Sequence, residues 1–422
     1  MPRKRKTVVE EEVVTETTEN LAEEEAPEME EGVEEEPETV AVAESAAPSA
    51  PVLITTDVNT LRQALELLMP VVPRKATLPV LTNVLLSKGM AIATDLETMV
   101  MVAFPDAEGE CLLPARKAGD LLKYVAGFQP LTIEYRKPRV SLTWDGGKAT
   151  YDVPSPNDYP DVAVPDITED SQAYLDGQPL VSALVAALGY CSTDQARPVL
   201  AGVTLYLGEK IRVAGADGFR LSYQELNLSF PTQATAIIPA KSVEILEFLW
   251  KRVPPAAKPV DDLIAAITAK RQLHLGIADG KIVMGLPKVN IVSKLIEGTP
   301  PNFEQLVPKN EDNSVLIMGD EFERGLRRLA DIANDSKGVV RLSWGNSKMS
   351  LAAKTADSGE METSISAITD QPGKIAIDIG YLLGYLKGKT GLVKMVTTNP
   401  TSPALLLYKD SPKVVIMPMN IQ

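Results

Sequence analysis

The sequence predicts an α+β protein with three similar domains, each made of two half-units in the order β-α-β-β-β. Two observations predict this fold class. Short apolar runs of strand length alternate with single amphipathic helices along most of the chain. A long stretch of sequence also recurs about 120 residues further on, which indicates a duplicated domain because solenoid repeats are only roughly 20 to 50 residues long.

The repeated phrases follow the same order in both copies. Each copy has a Pro-Val-Leu phrase before a strand, an aspartate after the next strand, a proline that introduces a helix, and a closing Pro-Asn phrase. This shared order predicts an assembly of like modules. The paired positions are Pro79 with Pro198, Asp95 with Asp217, Pro114 with Pro239, and Pro156 with Pro301.

The first domain is predicted to span residues 51–168. Val52 begins a strand, and Asp57 is a candidate cap for a helix that Pro70 ends. A second helix is predicted at 116–126. The other predicted strands lie at 79–86, 90–95, 98–104, 131–135, 140–144 and 149–153.

The second and third domains, 169–308 and 309–422, repeat this order, although the third is more diverged. In the second domain, helices are predicted at 179–190 and 241–251, and strands at 199–207, 210–216, 220–228, 273–278, 281–285 and 290–295. In the third, helices are predicted at 320–334 and 380–388, and strands at 339–345, 348–354, 361–367, 392–398, 404–409 and 413–417.

The first 50 residues differ in composition from the rest. They contain 16 Glu and four basic residues, a net charge of −12 out of −15 for the whole chain. Glu-rich sequence without a sustained helical period cannot bury enough apolar surface to fold, so we predict a disordered acidic N-terminal extension over 1–50. Most such segments are solvated tails; a polyanionic competitor for basic surfaces and a partner-docking arm are the alternatives.

The sequence offers little material for a catalytic site. With one histidine, His274, and two cysteines, Cys111 and Cys191, it has no zinc-ligand set, no nucleophile–histidine pair and no phosphate-binding loop pattern. The recurrence of Asp95 and Asp217 in equivalent turns favours Asx hydrogen bonding over a metal site. We therefore predict no catalytic residue, metal or cofactor. The lack of a long apolar run and of a disulfide framework favours a cytoplasmic protein without a membrane partner.

Basic residues concentrate on the predicted helices. Lysines and arginines on a helix surface are usually only solvated, but here five of the six helices carry them. This pattern favours contact with a phosphate backbone, and the lack of aromatic side chains among them favours duplex contact without base readout. The residues are Arg62, Arg116, Lys117, Lys123, Lys241, Lys251, Arg252, Arg324, Arg327, Arg328, Lys387 and Lys389.

Several phrases in this chain resemble the bacterial DNA polymerase III beta subunit, the sliding clamp family. The resemblance covers about 52–422, with the phrases in the same order as in the family. The phrases are TLPVL at 77–81 with Asn83, TDLE at 94–97, PARK at 114–117, ADGFRL at 216–221, SKL at 293–295, PKN at 308–310 and VIMPM at 415–419.

The resemblance implies the DNA-clamp fold and a head-to-tail homodimeric ring with helices inside and sheets outside. Such a ring encircles duplex DNA and tethers the replicative polymerase, while polymerase activity resides in other subunits. The implied partners are duplex DNA, a second copy of the chain, the polymerase catalytic subunit, the clamp loader and other clamp-motif proteins. The implied location is the cytoplasm, associated with the nucleoid. Lys75, beside Arg74, stands at a loop position where the family often has a DNA-contacting arginine.

The resemblance also implies a hydrophobic pocket between the second and third domains that binds short linear motifs of partner proteins. The methionine-rich C-terminus suits such an adaptable surface. The chain departs from the family at Phe219, where histidine is common, and at Gln305, where arginine is common. Carried over by position, the pocket residues are Leu200, Ala216, Gly218, Phe219, Arg220, Leu221, Pro301, Leu306, Leu405, Met417, Pro418 and Met419.

Two rival functions stay open at the level of sequence. One is an enzyme of nucleic-acid metabolism with the same fold, which metal-dependent nuclease or nucleotidyl-transfer activity would support. The other is a protein-docking scaffold that does not encircle DNA. The stretch 253–272 is longer than the family pattern and has no assigned purpose.

Overall fold

In the computed structural model, the half-unit order β-α-β-β-β occurs six times among the described residues, which confirms the predicted α+β class. The acidic extension 1–50 and most of the long stretch 253–272 lie outside those residues. The structure describes residues 51–161, 163–194, 196–255, 270–309, 313–355 and 359–419.

The first two half-units contain two corrections to the predicted boundaries. Residues 79–82, predicted as strand, form a 3₁₀ turn, because Pro79 lacks the N–H that a strand ladder needs. The second helix ends at Leu122 and not at 126, because Arg62 binds the carbonyls at its end. The elements are β1 Val52–Asp57, α1 Val58–Leu68, β2 Asn83–Ser87, β3 Met90–Thr94, β4 Thr98–Ala103, β5 Cys111–Pro114, α2 Ala115–Leu122, β6 Pro130–Arg136, β7 Arg139–Trp144 and β8 Gly147–Asp152.

The next two half-units follow the same plan. The Pro-Val-Leu phrase again forms a 3₁₀ turn, Pro198–Leu200, so the strand predicted from 199 begins at Gly202. The elements are β9 Gln172–Asp176, α3 Gly177–Leu188, β10 Gly202–Leu207, β11 Ile211–Ala216, β12 Arg220–Leu226, β13 Ala234–Pro239, α4 Ala240–Arg252, β14 Gln272–Ala278, β15 Lys281–Leu286 and β16 Val289–Lys294.

The last two half-units follow a short connecting helix, α5 Phe303–Leu306. Helix α6 buries Phe322, Leu326, Leu329 and Ala333, which form one apolar stripe along it. The elements are β17 Ser314–Met318, α6 Gly319–Asp335, β18 Val339–Gly345, β19 Lys348–Thr355, β20 Gly359–Ser366, β21 Ile368–Thr369, β22 Gly373–Asp378, α7 Ile379–Leu386, β23 Leu392–Val396, β24 Ala404–Leu407 and β25 Lys413–Ile416.

Strand pairing joins half-units that are distant in sequence. Strand β4, the last strand of the first half-unit, pairs antiparallel with β16, the last strand of the fourth. Strand β12 of the third half-unit pairs in the same way with β25 of the sixth. The described strands form sheets in the orders β1-β6-β7-β8, β5-β2-β3-β4-β16-β15-β14-β9, β13-β10-β11-β12-β25-β24-β23-β17-β21 and β20-β19-β18-β22.

The helices pack in pairs against these sheets. Helix α1 contacts α2, α3 contacts α4, and α6 contacts α7. Each helix buries one apolar face, so its opposite face, which carries most of the basic residues, is left for solvent. The short helix α5 covers part of the nine-stranded sheet with Phe303, which is 1% exposed.

Candidate DNA-contacting helices and peptide-binding pocket

The three arginines of α6 are exposed, and two of them lie close to an acidic side chain one turn earlier. Arg324 Nη1 is 2.8 Å from Asp320 Oδ2, and Arg327 Nη2 is 2.7 Å from Glu323 Oε1. Arg328 Nη1 donates to Thr363 Oγ1 at 3.3 Å. The guanidinium of Arg324 lowers the pKa of Asp320. Exposed pairs of this kind contribute little to stability, so these guanidinium groups are available to an incoming phosphate.

Two arginines of the predicted basic set also bind backbone carbonyls. Arg62 donates from Nη2 to the carbonyl oxygens of Leu122 and Val125, both at 2.6 Å, so it caps the end of α2. Arg116 donates from Nη2 to Val72 O at 2.8 Å and is half-buried. These two guanidinium groups are therefore occupied by contacts within the protein. Other basic side chains supply the exposed positive charge.

Lys389 is also half-buried and donates to Tyr385 O, whereas the other predicted DNA-contacting residues lie at the surface. Lys123 Nζ is 2.6 Å from Asp120 Oδ1 and Lys251 Nζ is 2.5 Å from Glu247 Oε1. Lys241, in the first turn of α4, pairs with Asp95 in the turn before β4. Arg252 stacks on Phe248, with its guanidinium carbon 3.7 Å from the ring centroid. The remaining exposed members are Arg74, Lys75, Lys117 and Lys387.

The two repeated aspartates make the same turn, which confirms their predicted structural role. Asp95 Oδ1 accepts from the backbone N–H of Glu97 at 3.1 Å and of Thr98 at 2.8 Å. Asp217 Oδ1 accepts from the N–H of Phe219 and of Arg220, both at 2.8 Å. These are Asx turns that fix the loop before β4 and before β12.

Four of the predicted pocket residues meet in one buried cluster on the nine-stranded sheet. Ala216 is paired with Leu221 between β11 and β12, Leu221 with Val415 between β12 and β25, and Val415 with Leu405 between β25 and β24. Paired residues in a sheet point to the same face, so these side chains form one row across four strands. Leu200 completes the cluster.

The rim of this cluster is apolar and exposed. Phe219 is 55% exposed, Leu306 is 53% exposed and Met417 is 46% exposed. Met417 N donates to Phe219 O at 2.9 Å, which extends the β12–β25 ladder by one residue. Met419 N then donates to Ala376 O at 2.8 Å. The rim and the buried row together make up the surface predicted to be the peptide pocket; of the other predicted pocket residues, Pro301 is exposed and Pro418 is half-buried.

Arg220 is held between two tyrosine rings that sequence reasoning missed. Its guanidinium carbon lies 4.4 Å from the ring centroid of Tyr381 on α7 and 5.3 Å from that of Tyr190 after α3. Its Nη2 is 2.9 Å from Asp217 Oδ2, and both side chains are largely buried. Burial raises the pKa of Tyr190 to about 12. The sequence does show a tyrosine just after α3 and another in the first turn of α7. Nothing local in the sequence, however, indicates that these helices pack next to β12.

Gly218 marks a close approach at the same turn. Its φ of +93° is a conformation that favours glycine, and a Cβ there would lie 2.6 Å from Arg197 Nη1. Arg197 is itself 3.2 Å from Asp194 Oδ2. Arg197 therefore lies next to the pocket, and it is another residue that the sequence-based list omitted.

The histidine and the two cysteines lie in partly or fully buried positions within the fold. His274 Nε2 is 2.8 Å from Gln172 Oε1, and burial lowers the pKa of its ring. Burial raises the pKa of Cys111 and of Cys191 to about 12, so both remain thiols at neutral pH. Within the described residues, no group of three or more His, Cys, Asp or Glu is arranged to hold a metal ion. No described helix has the length and apolar character to cross a membrane.

Family models match a large part of the chain. The model for the DNA polymerase III beta subunit, central domain, matches residues 180–302. The model for the C-terminal domain of the same subunit matches residues 304–420. Together the two ranges span more than half of the sequence. The chain belongs to the DNA polymerase III beta subunit family.

Individual members of the family match along nearly their full length. The beta sliding clamp of Synechococcus elongatus is 25% identical over 378 residues, which cover 86% of this chain and 97% of that protein. The beta sliding clamp of Pseudomonas aeruginosa is 26% identical over 384 residues, which cover 86% of this chain and 98% of that protein.

Solved structures share the fold of this beta subunit homologue. The crystal structure of the DNA polymerase sliding clamp from Pseudomonas aeruginosa has a TM-score of 0.77 at 23% identity, covering 87% of this chain and 100% of that one. The DNA polymerase III beta subunit from Thermotoga maritima has a TM-score of 0.75 at 18% identity, covering 88% of this chain and 100% of that one. The predicted clamp fold is therefore confirmed.

Proposed function

We propose that this chain is a DNA sliding clamp. Two copies close into a head-to-tail ring around duplex DNA and tether the replicative polymerase without catalysing a reaction themselves. Strand pairing carries the proposal: two of the six half-units, the second and the fifth, end in strands, β8 and β20, that lie at the edge of a four-stranded sheet. In the other four half-units, the last strand is paired with the last strand of another half-unit.

The pairing rule supports a ring of two chains. The first half-unit pairs with the fourth and the third with the sixth, so each odd half-unit pairs with the one three places further on. Applied to the fifth half-unit, the rule requires an eighth, which is the second half-unit of another copy. The partner's β20 then reaches the first copy's β8, and the ring closes through two identical heterologous contacts. An unpaired edge strand is a template for such pairing.

The basic residues on the helices support the proposal that the ring encloses DNA. Arg324, Arg327 and Arg328 are exposed on α6, and α2 and α4 also carry exposed lysines. Flexible surface cations neutralise phosphates without reading bases, so the protein holds DNA and can still move along it. This arrangement suits a clamp better than a site-specific binder.

The peptide pocket supports the proposal that partners dock through short linear motifs. A buried apolar row with an exposed aromatic and methionine rim accommodates an apolar anchor, and methionine adapts to different partners. We propose the polymerase catalytic subunit, the clamp loader and other clamp-motif proteins as these partners, in the cytoplasm and at the nucleoid. The proposed domains are 51–168, 169–308 and 309–422, after the extension 1–50.

Charge reversal on α6 tests DNA encirclement. We expect the variant Arg324→Glu/Arg327→Glu/Arg328→Glu to leave closed circular DNA faster than wild type, and the slope of log affinity against log salt to fall by up to about 0.9 for each lost phosphate contact. The measurement is retention on nicked circular DNA during gel filtration at several salt concentrations.

A matched control reverses three charges on the opposite face of the same sheet. Arg341, Lys348 and Lys374 are exposed on the side of β18, β19 and β22 that faces away from α6. Their reversal changes net charge equally and leaves retention intact if DNA lies along the helices. If the α6 variant stayed on circular DNA as long as the control variant and wild type do, the result would indicate a docking scaffold instead. Nuclease or nucleotidyl-transfer activity of the purified chain would indicate an enzyme.

A further inference from the structure

The boundary where β4 meets β16 repeats the backbone geometry of the peptide pocket. Lys294 N donates to Glu97 O at 2.9 Å, as Met417 N donates to Phe219 O at 2.9 Å. Both contacts extend an antiparallel ladder by one residue beyond its last strand pair, and both follow an Asx turn. Glu97 is therefore the counterpart of Phe219, and Lys294 is the counterpart of Met417.

The residue after the aspartate differs between the two turns. Gly218 has a φ of +93°, and its counterpart Leu96 has a φ of +79°. A leucine rarely adopts this conformation, and residues held in such backbone strain tend to cluster at binding sites. The turn leaves the Leu96 side chain 43% exposed. The Leu96 side chain is thus held at the surface beside the β4–β16 contact by a backbone conformation that is unfavourable for leucine.

A cavity of about 330 Å³ occupies this position, and we call it the first-boundary cavity. Its position is equivalent to that of the buried row in the peptide pocket. The strand pair Met99 and Val292 corresponds to the strand pair Leu221 and Val415 in that row. Counterparts of pocket positions make up much of its lining: Leu96, Glu97, Thr98, Met99, Val292 and Lys294.

The chemistry of the rim distinguishes this cavity from the peptide pocket. Lys294 Nζ is 3.4 Å from Glu97 Oε1, and their side chains are 53% and 66% exposed. Lys281 and Asp161 also line the cavity, while Met99 and Val292 form a buried apolar floor. Where the peptide pocket presents an aromatic ring and a thioether, the first-boundary cavity presents charges of both signs around an apolar base.

We propose that the first-boundary cavity is a second peptide-binding site. It takes an extended segment of a partner protein in which one apolar anchor residue is flanked by charged residues. The apolar floor and the volume fit the anchor, and the Lys294 and Glu97 side chains exchange their mutual contact for the charges beside it. The peptide nature of the ligand rests on the proposed function of the equivalent pocket, whereas the charge selectivity rests on this cavity alone.

Methionine methyl resonances test the two sites separately, because Met99 lines the first-boundary cavity and Met417 lies on the pocket rim. The full chain, labelled with ¹³C-methyl methionine, is titrated with acetyl-Lys-Leu-Glu-amide and with the neutral acetyl-Gln-Leu-Gln-amide. We expect both to shift the Met99 methyl, the charged peptide binding about threefold more tightly, as solvent-exposed ion pairs allow. A Met99 resonance that neither peptide moves would overturn the proposal.

The double variant Glu97→Phe/Lys294→Met gives the cavity the rim of the pocket. We expect it to remove the threefold preference for the charged peptide while Met99 still responds; an unchanged preference would also overturn the proposal. A peptide from a polymerase C-terminus is titrated in parallel. If the polymerase peptide does not shift the Met417 methyl resonance, the assignment of the peptide pocket is wrong. The Met99 result for the first-boundary cavity does not depend on that outcome.

Discussion

At the scale of single residues, the sequence predicted contacts that are local and missed those that depend on packing. Asp95 and Asp217 were correctly assigned to turns because each binds N–H groups two and three residues away. Tyr190 and Tyr381 were missed because their rings meet Arg220 only when α3, α7 and β12 are assembled. The pocket residues carried over from the family therefore include the turn and the buried row, but not the two tyrosines that hold Arg220.

The rim residues of the pocket give the first prediction at this scale. We expect Phe219→Ala and Met417→Ala each to weaken binding of a polymerase motif peptide by about tenfold, because each truncation removes a large apolar side chain that would be buried against the bound motif. Fluorescence anisotropy of a labelled peptide measures the effect. Leu53→Ala is the control, since Leu53 is 61% exposed on β1 and outside the pocket. Equal losses in all three variants would contradict the pocket.

Buried thiol and phenol groups predict a loss of stability at alkaline pH. Burial raises the pKa of Cys111 and Cys191 from 9.0 to about 12, and of Tyr190 from 10.0 to about 12. The folded protein holds these protons more tightly than the unfolded chain does. The stabilisation is therefore complete below pH 9 and is lost as the pH rises towards 12.

Denaturant unfolding across this pH range measures the alkaline loss. The variant Cys111→Ala/Cys191→Ala is the matched comparison, because it removes two of the three groups. We expect its unfolding free energy to fall less steeply between pH 9 and pH 12 than that of wild type. Parallel curves for the two proteins would show that the thiols are not protected by burial.

At the scale of elements, the order of helices and strands was predictable, while some ends were not. Apolar period and proline positions gave six helices in the correct places, since both signals are local. The end of α2 was predicted four residues too late, at 126, because the residue that stops it is Arg62, far away in sequence. Proline at the start of 79–82 and 198–200 turned two predicted strand starts into 3₁₀ turns.

The cap that Arg62 forms on α2 is testable by substitution. We expect Arg62→Met to lower the free energy of unfolding by about 2 kcal/mol, because it leaves carbonyls of Leu122 and Val125 without a charged donor. Arg74→Met is the control, since Arg74 is exposed, and its effect should be within about 0.5 kcal/mol. Urea denaturation compares them, and equal effects would rule out the cap.

At the scale of the whole molecule, the repeat predicted like modules but not how they join. Pairing of β4 with β16 and of β12 with β25 depends on strands that are distant in sequence, and no periodicity encodes it. The ring itself came from the family resemblance. The structure adds a physical basis for it, since β8 and β20 are the two half-unit-ending strands that lie at sheet edges among the described residues.

A charge exchange tests the proposed contact between β8 and β20. Lys148 is exposed on β8, and Glu360 and Glu362 are exposed on β20. We expect Lys148→Glu to raise the dimer dissociation constant up to about fivefold, the range for surface ion pairs, and Glu360→Lys/Glu362→Lys in the same chain to restore it. Sedimentation velocity measures the dissociation constant. Lys374→Glu, away from both edges, should not change it, and failure of the exchange to rescue would argue against this contact.

The long-range ladders also have a consequence for synthesis on the ribosome. Strand β4 ends at residue 103 and its neighbour β16 at 294, while β12 ends at 226 and β25 at 416. Translation at about 5–20 residues per second leaves each strand waiting roughly 10 to 40 s for its neighbour. During that interval the nascent chain presents a bare hydrogen-bonding edge. Chaperone protection of the nascent chain is therefore most needed in these two windows, and release of a chain truncated before β25 leaves the second edge permanently exposed.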